Sequence, residues 1–541
     1  MEIDSMKGDD CVYSLNLSYW KGSWTEPVLE QTIGEALRSA AANWGPRCAL
    51  IDGAPGIPTR RWSFSDLLTE AERVARAILA RFSPGEHVAV WAANCPEWVM
   101  LEFGAALAGV TLVTVNPAFL PNELAYVLRH SRASGLFVQP EYRGRDMMAV
   151  VEAVRPGLPG LRDVIPLSDW AGFIASGSVD QALPPVAPDD IAQIQYTSGT
   201  TGFPKGAMLC HRGLVNNGRF YARTIGMGPD DVWVNPMPLF HTAGCGLTTL
   251  GALQTGGAQV LPHGFDPALI LDLIESEGGS MVLCVPTMLI RLLEQAGSRR
   301  RDLSSWRMVT LGGAPVPPEL IRRAEAELGL TVAIGFGQTE ASPYITHTLP
   351  NDSVPDWRRS VGRPLPRTEV KVIDQATGKT VPFGVSGEIC TRGYLTMKGY
   401  FDDPVATAAA LDPDGWLHTG DLGSMDVHGY CRIHGRLKDM IIRGGENVFP
   451  REIEEILFTH PSVVDVAVVG LPDPEWGEVV AAFVRVKDDH RPSAEELDAF
   501  CRNHLASFKI PRRWTFLDRF PQTASGKIKK FELRANTLAA G

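Results

Sequence analysis

The chain alternates helix-like patterns with short runs of branched and aromatic residues between about Thr32 and Pro350. The segments Glu86–Trp91 and Gly135–Val138 are representative of these apolar runs. Alternation of this kind favours parallel β-sheets covered by helices, because a connection between parallel strands usually contains a helix. The sequence therefore predicts an α/β fold with parallel sheets for this part of the chain.

The pattern changes after about residue 360. The segment Glu369–Asp374, the turn residues Thr377–Lys379 and the segment Gly387–Thr391 follow one another closely. Two runs of branched residues joined by a glycine-containing turn are typical of a β-hairpin. We expect hairpins here, which form either a small barrel or a sheet that flanks the main body.

The end of the chain combines both kinds of pattern. We predict a helix at Pro450–Thr459, strands at Val463–Val469 and Val479–Val486, and a second helix that the capping-box pattern at Ser493 opens. These elements predict a small α+β domain. The charged, glycine-flanked segment Gly435–Asp439 is the expected boundary.

The most apolar stretch of the chain is Trp98–Val115, which contains Glu102 and is interrupted by Gly104 and Gly109. These interruptions predict a buried helix that leads into a strand, and not a membrane span. The amino-terminal sequence MEIDSMKGDD has neither the basic start nor the apolar run of a secretory signal. We expect a protein that is not exported and has no transmembrane segment.

Composition and net charge argue against several classes of protein. A length of 541 residues suggests about three or four compact units, and 45% hydrophobic residues are typical of a folded globular protein. The net charge of −11 argues against nucleic-acid binding. The nine cysteines are scattered and never form Cys-x-x-Cys, which indicates reduced thiols in the cytoplasm and neither a disulfide framework nor a zinc site.

The segment Tyr196–Gly206 carries the strongest chemical signal. Its hydroxyl groups, glycines and lysine can present backbone N–H and side-chain donors to phosphate oxygens. Lys205 is preceded by Pro204 and followed by Gly206, so the segment is not a Walker A loop. We predict a nucleotide triphosphate site formed by Thr197, Ser198, Gly199, Thr200, Thr201, Gly202 and Lys205.

This segment closely resembles the phosphate loop of a superfamily that comprises acyl-CoA synthetases, peptide-synthetase adenylation domains and beetle luciferases. The resemblance continues in order from about residue 30 to residue 535. It implies an N-terminal domain at 1–435 that binds an acid and ATP, a hinge at 436–440, and a mobile C-terminal domain at 441–541 with a catalytic lysine.

The resemblance also implies the nucleotide-binding residues. Gly313 and Ala314 match a segment that borders the adenine, and Phe336–Glu340 matches the aromatic-glycine-x-Thr-Glu segment. In the family the aromatic ring of this segment stacks on adenine. The threonine, which is Thr339 in this chain, contacts the α-phosphate, and the glutamate, which is Glu340, helps to hold Mg²⁺. Many relatives have Tyr where this chain has Phe336, so stacking is retained and a phenol hydrogen bond is lost. We place Gly337 at the nucleotide, and Glu340 and Thr200 at the metal, since Mg²⁺ prefers oxygen ligands.

The acyl pocket is implied by two further segments. His241, Thr242 and Ala243 match a segment beside the substrate carboxylate, and Gly312 and Gly335 border the same pocket. His241 is expected to gate or orient the substrate. It is not expected to act as a general base, because a carboxylic acid arrives already ionised at neutral pH. The small side chains suggest room for an acid larger than acetate, although glycines can instead serve the backbone.

The remaining motifs lie toward the C-terminus. Asp421 matches the residue that binds both ribose hydroxyls, and Arg436 matches one that contacts ribose or phosphate. Lys438 falls at the family's hinge position. Lys527 matches the catalytic lysine, whose positive charge can lie between the carboxylate and the α-phosphate. After domain rotation, the loop that contains Gly444, Gly445 and Glu446 would line the coenzyme A tunnel.

The implied reaction is that of an AMP-forming carboxylic acid–CoA ligase. ATP and the acid give an acyl-adenylate and pyrophosphate, and coenzyme A then gives acyl-CoA and AMP, with Mg²⁺ as the metal. The acid is expected to be a medium- or long-chain fatty, branched or aryl-alkanoic acid. An enzyme that loads a carrier protein, a luciferase-like oxygenase and a catalytically silent nucleotide-binding scaffold are the alternatives. A homodimer is the default symmetric assembly.

Overall fold

Two sheets with helices on their faces form the body of the N-terminal part. A computed structural model describes residues 16–55, 59–197, 204–350, 352, 354, 356–487, 491–523 and 526–540. One sheet has six strands, which are parallel except at Lys205–Cys210. In spatial order they are Lys205–Cys210, Ile191–Thr197, Thr111–Val115, His87–Trp91, Gly135–Val138 and Asp163–Pro166.

The second sheet has nine strands, with a parallel centre and antiparallel strands toward both edges. Its central strands are almost completely buried, as expected for a parallel sheet that is covered on both faces. In spatial order the strands are Arg363–Pro364, Tyr344–His347, Thr331–Gly337, Met308–Gly312, Met281–Cys284, Val232–Val234, Ala258–Leu261, Cys48–Asp52 and Arg61–Ser63.

The helices of the N-terminal part cover these sheets, and several begin at side-chain caps. Thr32 and Glu35 form a capping box at the first helix, and Ser63 and Asp66 form one at the second. The α-helices are Ile33–Trp44, Phe64–Leu79, Pro96–Ala108, Pro121–His130, Met147–Val154, Trp170–Ala175, His211–Thr224, Leu250–Thr255, Pro267–Glu277, Pro286–Ala296, Pro318–Leu328 and Pro404–Ala410. A π-helix covers Ala243–Thr249.

The apolar stretch of the sequence forms the buried helix Pro96–Ala108, followed by the strand Thr111–Val115. Trp98 and Phe103 on this helix are fully buried. The helix packs against Phe64–Leu79. The expected burial is therefore confirmed, and among the described residues no helix is both long and apolar enough to cross a bilayer.

The first described strand and four strands between residues 368 and 436 form an antiparallel five-stranded sheet. The hairpin that was predicted after residue 360 is present, with Val370 opposite Thr391. Within the described residues this sheet is open, so it flanks the main body and does not close into a barrel. Its strands are Tyr19–Lys21, Thr368–Ile373, Gly387–Gly393, Leu417–Met425 and Cys431–Arg436.

The C-terminal part forms its own sheet and helices, which confirms the predicted α+β class. Ser493 caps its second helix by accepting a hydrogen bond from the Glu496 backbone N–H at 3.2 Å. The strands are Glu446–Val448, Ile441–Arg443, Gly477–Val486, Val463–Asp473 and Arg513–Phe516. The helices are Pro450–Phe458, Ala494–Arg502 and Lys530–Ala540.

Candidate active site

The two ends of the predicted phosphate loop lie side by side. Thr197 and Lys205 are directly opposite each other in antiparallel strands. The Tyr196 hydroxyl group lies 2.8 Å from His130 Nδ1, and the Tyr126 hydroxyl donates to the Pro204 carbonyl at 3.2 Å. The base of the loop is therefore held firmly. Five of the predicted nucleotide-binding residues lie outside the described residues: Ser198, Gly199, Thr200, Thr201 and Gly202.

Tyr400 connects the base of this loop to Glu340. The Tyr400 hydroxyl donates to Glu340 Oε1 at 2.8 Å, and Lys205 Nζ lies 5.1 Å from the centre of the Tyr400 ring. The backbone N–H of Phe401 donates to the Gly206 carbonyl at 2.8 Å, so the segment that carries Tyr400 follows the edge strand. Glu340 is thereby held beside the phosphate loop, where a carboxylate can contribute to a metal site.

The predicted adenine segment lies at the carboxyl edge of the nine-stranded sheet. Gly312 and Gly335 are paired on neighbouring parallel strands, and Phe336 and Gly337 end the second of them. The carboxyl ends of parallel strands form the edge at which open α/β sheets bind ligands. Thr339 follows in a short 3₁₀ helix and is buried. The structure thus brings the sequence-predicted segments 312–314 and 336–340 together.

Tyr344 occupies the space beside the two pocket glycines. A Cβ placed at Gly312 would lie 2.6 Å from the Tyr344 hydroxyl oxygen, and one placed at Gly335 would overlap the same ring. The Tyr344 ring also packs edge-on against Tyr221, with ring centres 5.4 Å apart. These glycines therefore make room for an aromatic side chain of the protein itself. Their small size therefore does not by itself measure the space for substrate, and the question of pocket size stays open as it was from the sequence.

His241 lies just before the π-helix, in a segment that buried polar side chains hold by hydrogen bonds. Asn94 accepts a hydrogen bond from the Leu239 backbone N–H at 2.8 Å, and Thr114 donates to the Phe240 carbonyl at 2.9 Å. Among the described residues, His241 Nδ1 and the Thr242 hydroxyl are buried without a partner. These two groups, next to Ala243, are therefore available to a ligand.

Burial and the nearby charge of Lys527 lower the pKa of His241 to about 3. The imidazole is therefore neutral at physiological pH and cannot act as a cation toward the substrate carboxylate. A neutral ring with one available nitrogen can orient a substrate by a hydrogen bond. This agrees with the orienting function expected from the sequence.

Asp421 and Arg436 form a pair at the edge of the five-stranded sheet. They are opposite each other on neighbouring strands, and Arg436 Nε donates to Asp421 Oδ1 at 3.2 Å. Burial raises the pKa of Asp421, and the Arg436 charge opposes this shift. Arg436 itself is exposed, while the Asp421 side chain is nearly enclosed. An enclosed carboxylate with one oxygen free of Arg436 is suited to accept hydroxyl donors.

Lys527 is inserted among these groups from the C-terminal part. A Cβ placed at Gly313 would lie 3.1 Å from Lys527 Cε and 3.5 Å from its Nζ. The neighbouring Gly526 carbonyl accepts a hydrogen bond from the Thr287 hydroxyl at 2.8 Å, which anchors the lysine loop to the N-terminal body.

Burial and the positive charge of Arg436 lower the pKa of Lys527 to about 8, while Asp421 and Glu340 oppose this shift. The ammonium group therefore lies within electrostatic range of both predicted ligand-binding carboxylates. It is the group at which the motifs of the two parts of the chain converge.

The predicted coenzyme A residues are not brought to this site. Gly444 and Gly445 form the exposed turn of the hairpin between Ile441–Arg443 and Glu446–Val448. A Cβ placed at Gly445 would have no neighbour within 4 Å, whereas one at Gly444 would lie 2.8 Å from the Trp476 ring. Lys438 lies in the preceding 3₁₀ helix and is exposed. Partial desolvation and then the charge of Arg436 lower its pKa.

Sequence reasoning did not find Tyr344, Tyr400, Asn94 and Thr287. Each contacts a motif residue that is distant in sequence, such as Tyr400 with Glu340 across 60 positions. No local pattern marks such contacts. Asn94 and Thr287 each lie close to the amino end of a helix that begins with Pro, which is a signal for an element boundary and not for a site.

Comparisons with known proteins cover almost the whole chain. The AMP-binding enzyme family model matches residues 37–401, and the model of the AMP-binding enzyme C-terminal domain matches residues 452–527. YngI of Bacillus subtilis (strain 168) is 39% identical over 540 residues, which cover 94% of this chain and 98% of YngI. The mitochondrial medium-chain acyl-CoA ligase ACSF2 of Macaca fascicularis is 36% identical over 96% of this chain and 89% of ACSF2.

Solved structures resemble the chain over the same extent. The crystal structure of the anthranilate CoA ligase AuaEII in complex with anthranoyl-AMP superimposes with a TM-score of 0.87 at 28% identity. The superposition covers 95% of this chain and 99% of AuaEII. The likeness therefore includes both the large N-terminal part and the small C-terminal part.

Proposed function

The chain belongs to the AMP-binding enzyme family and is an ATP-dependent acyl-CoA ligase, and we propose that Lys527 promotes its first step. The observation that carries this proposal is the position of Lys527, beside Gly313 and within electrostatic range of Asp421, Glu340 and His241. Residues from distant motifs thus surround one ammonium group, as expected if all of them contact one ligand.

In the first step, a carboxylate oxygen of the acid attacks the α-phosphorus of ATP and forms a new P–O bond. The bond from that phosphorus to the pyrophosphate oxygen breaks, and pyrophosphate leaves. Two anions must approach each other, so a preorganised positive charge between them stabilises the transition state. We propose that Lys527 supplies this charge, that Asp421 binds the ribose hydroxyls and that Phe336 stacks on the adenine.

The residues present fit a magnesium ion. Glu340 has one carboxylate oxygen occupied by the Tyr400 hydroxyl, and the other remains for a cation. A single carboxylate together with phosphate oxygens is a common arrangement for Mg²⁺. Glu340 would hold the ion with Thr200, and the ion would neutralise charge on the phosphates. Tyr400 would orient the carboxylate.

In the second step, the thiol of coenzyme A attacks the carbonyl carbon of the adenylate, the C–O bond to AMP breaks, and the thiol proton passes to solvent. We propose that the C-terminal part rotates about residues 436–440, which include Lys438. The rotation withdraws Lys527 and brings the turn of Gly444, Gly445 and Glu446 to the site. The exposure of this turn, away from the acyl pocket, supports a need for such a movement.

The acid is proposed to be a medium- or long-chain fatty, branched or aryl-alkanoic acid. The support is the likeness to a medium-chain acyl-CoA ligase and to an anthranilate CoA ligase. The free donor or acceptor groups of His241 and Thr242 would meet the carboxylate end. Cytoplasmic location and a homodimer stay predictions from the sequence, as do the domain limits.

The function is tested by pyrophosphate release from the full-length protein with ATP, Mg²⁺ and a panel of carboxylic acids, followed by acyl-CoA formation. We expect pyrophosphate with at least one acid of the proposed class, and thioester when coenzyme A is added. The Lys527→Ala variant is expected to release pyrophosphate about 10²–10³-fold more slowly, a loss typical of removing one charge-stabilising group. Lys529→Ala is the matched control, because the wild-type Lys529 ammonium group pairs with Glu532 at 2.7 Å.

No pyrophosphate release across the panel would support a silent nucleotide-binding scaffold. Transfer of the acyl group to a holo carrier protein in preference to coenzyme A would support a carrier-loading enzyme. Light emission with oxygen would support luciferase-like chemistry. An unchanged first step in Lys527→Ala would remove this lysine from the mechanism.

A further inference from the structure

Three potential metal ligands meet on the five-stranded sheet, outside the candidate active site. Glu388 and Cys390 lie on the strand Gly387–Gly393, and His418 lies opposite Cys390 on the strand Leu417–Met425. One ligand atom from each of the three residues lies within 4.8 Å of the others. Residues i and i+2 of a strand share a face, which places Glu388 beside Cys390. His418 lies directly opposite Cys390, and the strand pairing is irregular between Glu388 and Cys390.

His418 Nδ1 faces both of its neighbours. It lies 3.1 Å from Glu388 Oε2 and 3.6 Å from Cys390 Sγ. One ring nitrogen carries either a proton or a lone pair in the ring plane, so it can satisfy only one of these contacts by a hydrogen bond. A single cation between the three atoms would satisfy all of them together.

We propose that Glu388 Oε2, Cys390 Sγ and His418 Nδ1 bind a zinc ion, which departs from the expectation, drawn from the cysteine spacing, that the chain has no zinc site. Thiolate, imidazole and carboxylate are the three ligand types that zinc combines in proteins. With metal–ligand bonds of about 2.0–2.3 Å, tetrahedral geometry separates ligand atoms by roughly 3.3–3.6 Å. The two observed distances to His418 Nδ1 lie close to that range. The His418 side chain is 29% exposed, so water can reach the cluster and complete the coordination.

The residues around the cluster fit this site. Asp412 Oδ2 lies 3.9 Å from His418 Nε2, on the side of the ring away from the ligands. At this distance Asp412 makes no hydrogen bond to the ring, but its negative charge lies beside the distal nitrogen. Glu388 Oε1, the oxygen not directed at the cluster, accepts a hydrogen bond from the Gly420 backbone N–H at 3.0 Å. The Gly420 contact would therefore be retained with zinc bound.

The cluster lies close to Asp421 along the chain, so a bound ion would affect the position of that carboxylate. Gly420 directly precedes Asp421, so Glu388 connects the proposed zinc ion to the backbone beside the ribose-binding carboxylate. Zinc would fix the two strands relative to each other at that point and position Asp421. The ion contacts neither ATP nor the acid, so its binding is independent of the proposed ligase mechanism and can be measured without either substrate.

Cobalt substitution tests the site on the full-length protein. The protein is treated with a chelator, dialysed and titrated with Co²⁺, then with Zn²⁺. We expect one equivalent of Co²⁺ to produce a thiolate-to-cobalt charge-transfer band in the near ultraviolet, and Zn²⁺ to displace it. The Cys390→Ser variant should lose the band. The Cys431→Ser variant, which changes a buried cysteine on the neighbouring strand, should keep it.

Two further variants separate ligation from folding. Glu388→Gln keeps an acceptor for the Gly420 N–H and removes the charge of the ligand. Asp412→Asn keeps the side-chain oxygen that accepts hydrogen bonds from the Asp414 and Trp416 backbone N–H groups. We expect each to weaken zinc binding by about 10–100-fold or more, and to abolish or reduce the increase in melting temperature caused by zinc. Absence of the band in the wild-type protein, or its persistence in Cys390→Ser, would show that the cluster is an ordinary hydrogen-bonded group of side chains.

Discussion

The protonation state of the Lys527 side chain depends on its surroundings. Burial and Arg436 bring its pKa down to about 8, close to physiological pH, so a fraction of the free enzyme carries a neutral amine. In the proposed mechanism ATP would bring several negative charges to the same place, which would favour the protonated form. The binding of nucleotide and the charging of Lys527 would therefore assist each other.

The pH dependence of adenylation follows from this pKa. Above pH 8 the free enzyme loses the Lys527 charge, so kcat/KM for ATP–pyrophosphate exchange should fall by up to about tenfold per pH unit. The alkaline decrease of kcat should begin at a higher pH than that of kcat/KM, since bound ATP favours the charged form of Lys527. Pyrophosphate exchange is the suitable assay because it does not involve the coenzyme A thiol, which titrates in the same range.

The Lys527→Arg variant is the control for this pH dependence. A guanidinium group stays charged throughout the range, so the variant should be slower overall but should lack the alkaline limb. An identical limb in wild type and variant would assign the titration to another group.

At the scale of elements, a buried line of polar groups joins a helix, a strand and the π-helix. Gln193 donates to Glu102 Oε1 at 2.8 Å, Gln195 donates to Gln193 Oε1 at 2.7 Å, and Gln195 also donates to Cys245 Sγ at 3.3 Å. The Cys245 thiol in turn donates to the His241 carbonyl at 3.4 Å. The helix Pro96–Ala108 is thus connected with the start of the acyl-pocket segment.

Glu102 makes stability depend on pH. Burial raises the pKa of its carboxyl group to about 8, and the Gln193 hydrogen bond opposes this shift. Between about pH 4.5 and pH 8 the unfolded chain releases this proton while the folded chain keeps it, so the free energy of unfolding falls as pH rises. Glu102→Gln, which resembles the neutral form, should therefore be more stable than wild type at pH 8, by on the order of a few kcal/mol.

Urea midpoints at pH 5 and pH 8 measure this effect. The gain of Glu102→Gln over wild type should be larger at pH 8, because both side chains are neutral in the folded state at pH 5. Glu70→Gln, at a partly exposed surface residue paired with Arg73 on one helix, is the control and should change little at either pH. A gain that is equal at both pH values would contradict the neutral state of Glu102.

The hairpin turn of Gly444 and Gly445 is the second element with a testable function. Gly445 has φ +88° and lies on the open surface, so a larger side chain meets nothing in this conformation. Gly445→Leu should therefore leave adenylation within about threefold of wild type, apart from local backbone strain. It should greatly reduce thioester formation from supplied acyl-adenylate, because the side chain would obstruct the thiol.

Gly378→Leu supplies the matched control, since Gly378 lies in another exposed turn, has φ +69° and also has open space around it. The strain is similar, and we expect both half-reactions to proceed normally. Equal losses of both half-reactions in Gly445→Leu would contradict the assignment of this turn to the coenzyme A path.

At the scale of the whole molecule, local sequence patterns predicted the helices and strands, whereas contacts between distant residues determine the geometry of the site. The strand His87–Trp91 and the helix Pro450–Phe458 appeared in the sequence because apolar periodicity and helix-start signals are local. Motif likeness indicated Lys527 and Asp421. The pairing of Cys390 with His418 was not visible, because residues 28 positions apart become neighbours only through strand register.

Contacts of the C-terminal part with the N-terminal body are expected to set the balance between the two half-reactions. In this conformation Thr287 donates to the Gly526 carbonyl, and Arg485 pairs with Glu294 at 3.3 Å. The proposed rotation would withdraw Lys527 and break these contacts. They would therefore stabilise the conformation for adenylation over the rotated one, and the exposed ion pair would contribute the smaller share.

Removing the Thr287 hydroxyl should shift this balance. Thr287→Val keeps the shape and loses a hydrogen bond of about 1 kcal/mol, which corresponds to a roughly fivefold lower population of the inserted state. Pyrophosphate exchange should slow by about that factor, while thioester formation from supplied acyl-adenylate should be unchanged or faster. Thr537→Val, which removes a hydroxyl bonded to the Leu533 carbonyl within one helix, should leave both rates as in wild type. If Thr287→Val slowed both half-reactions equally, the hydroxyl would support the fold and not the choice between conformations.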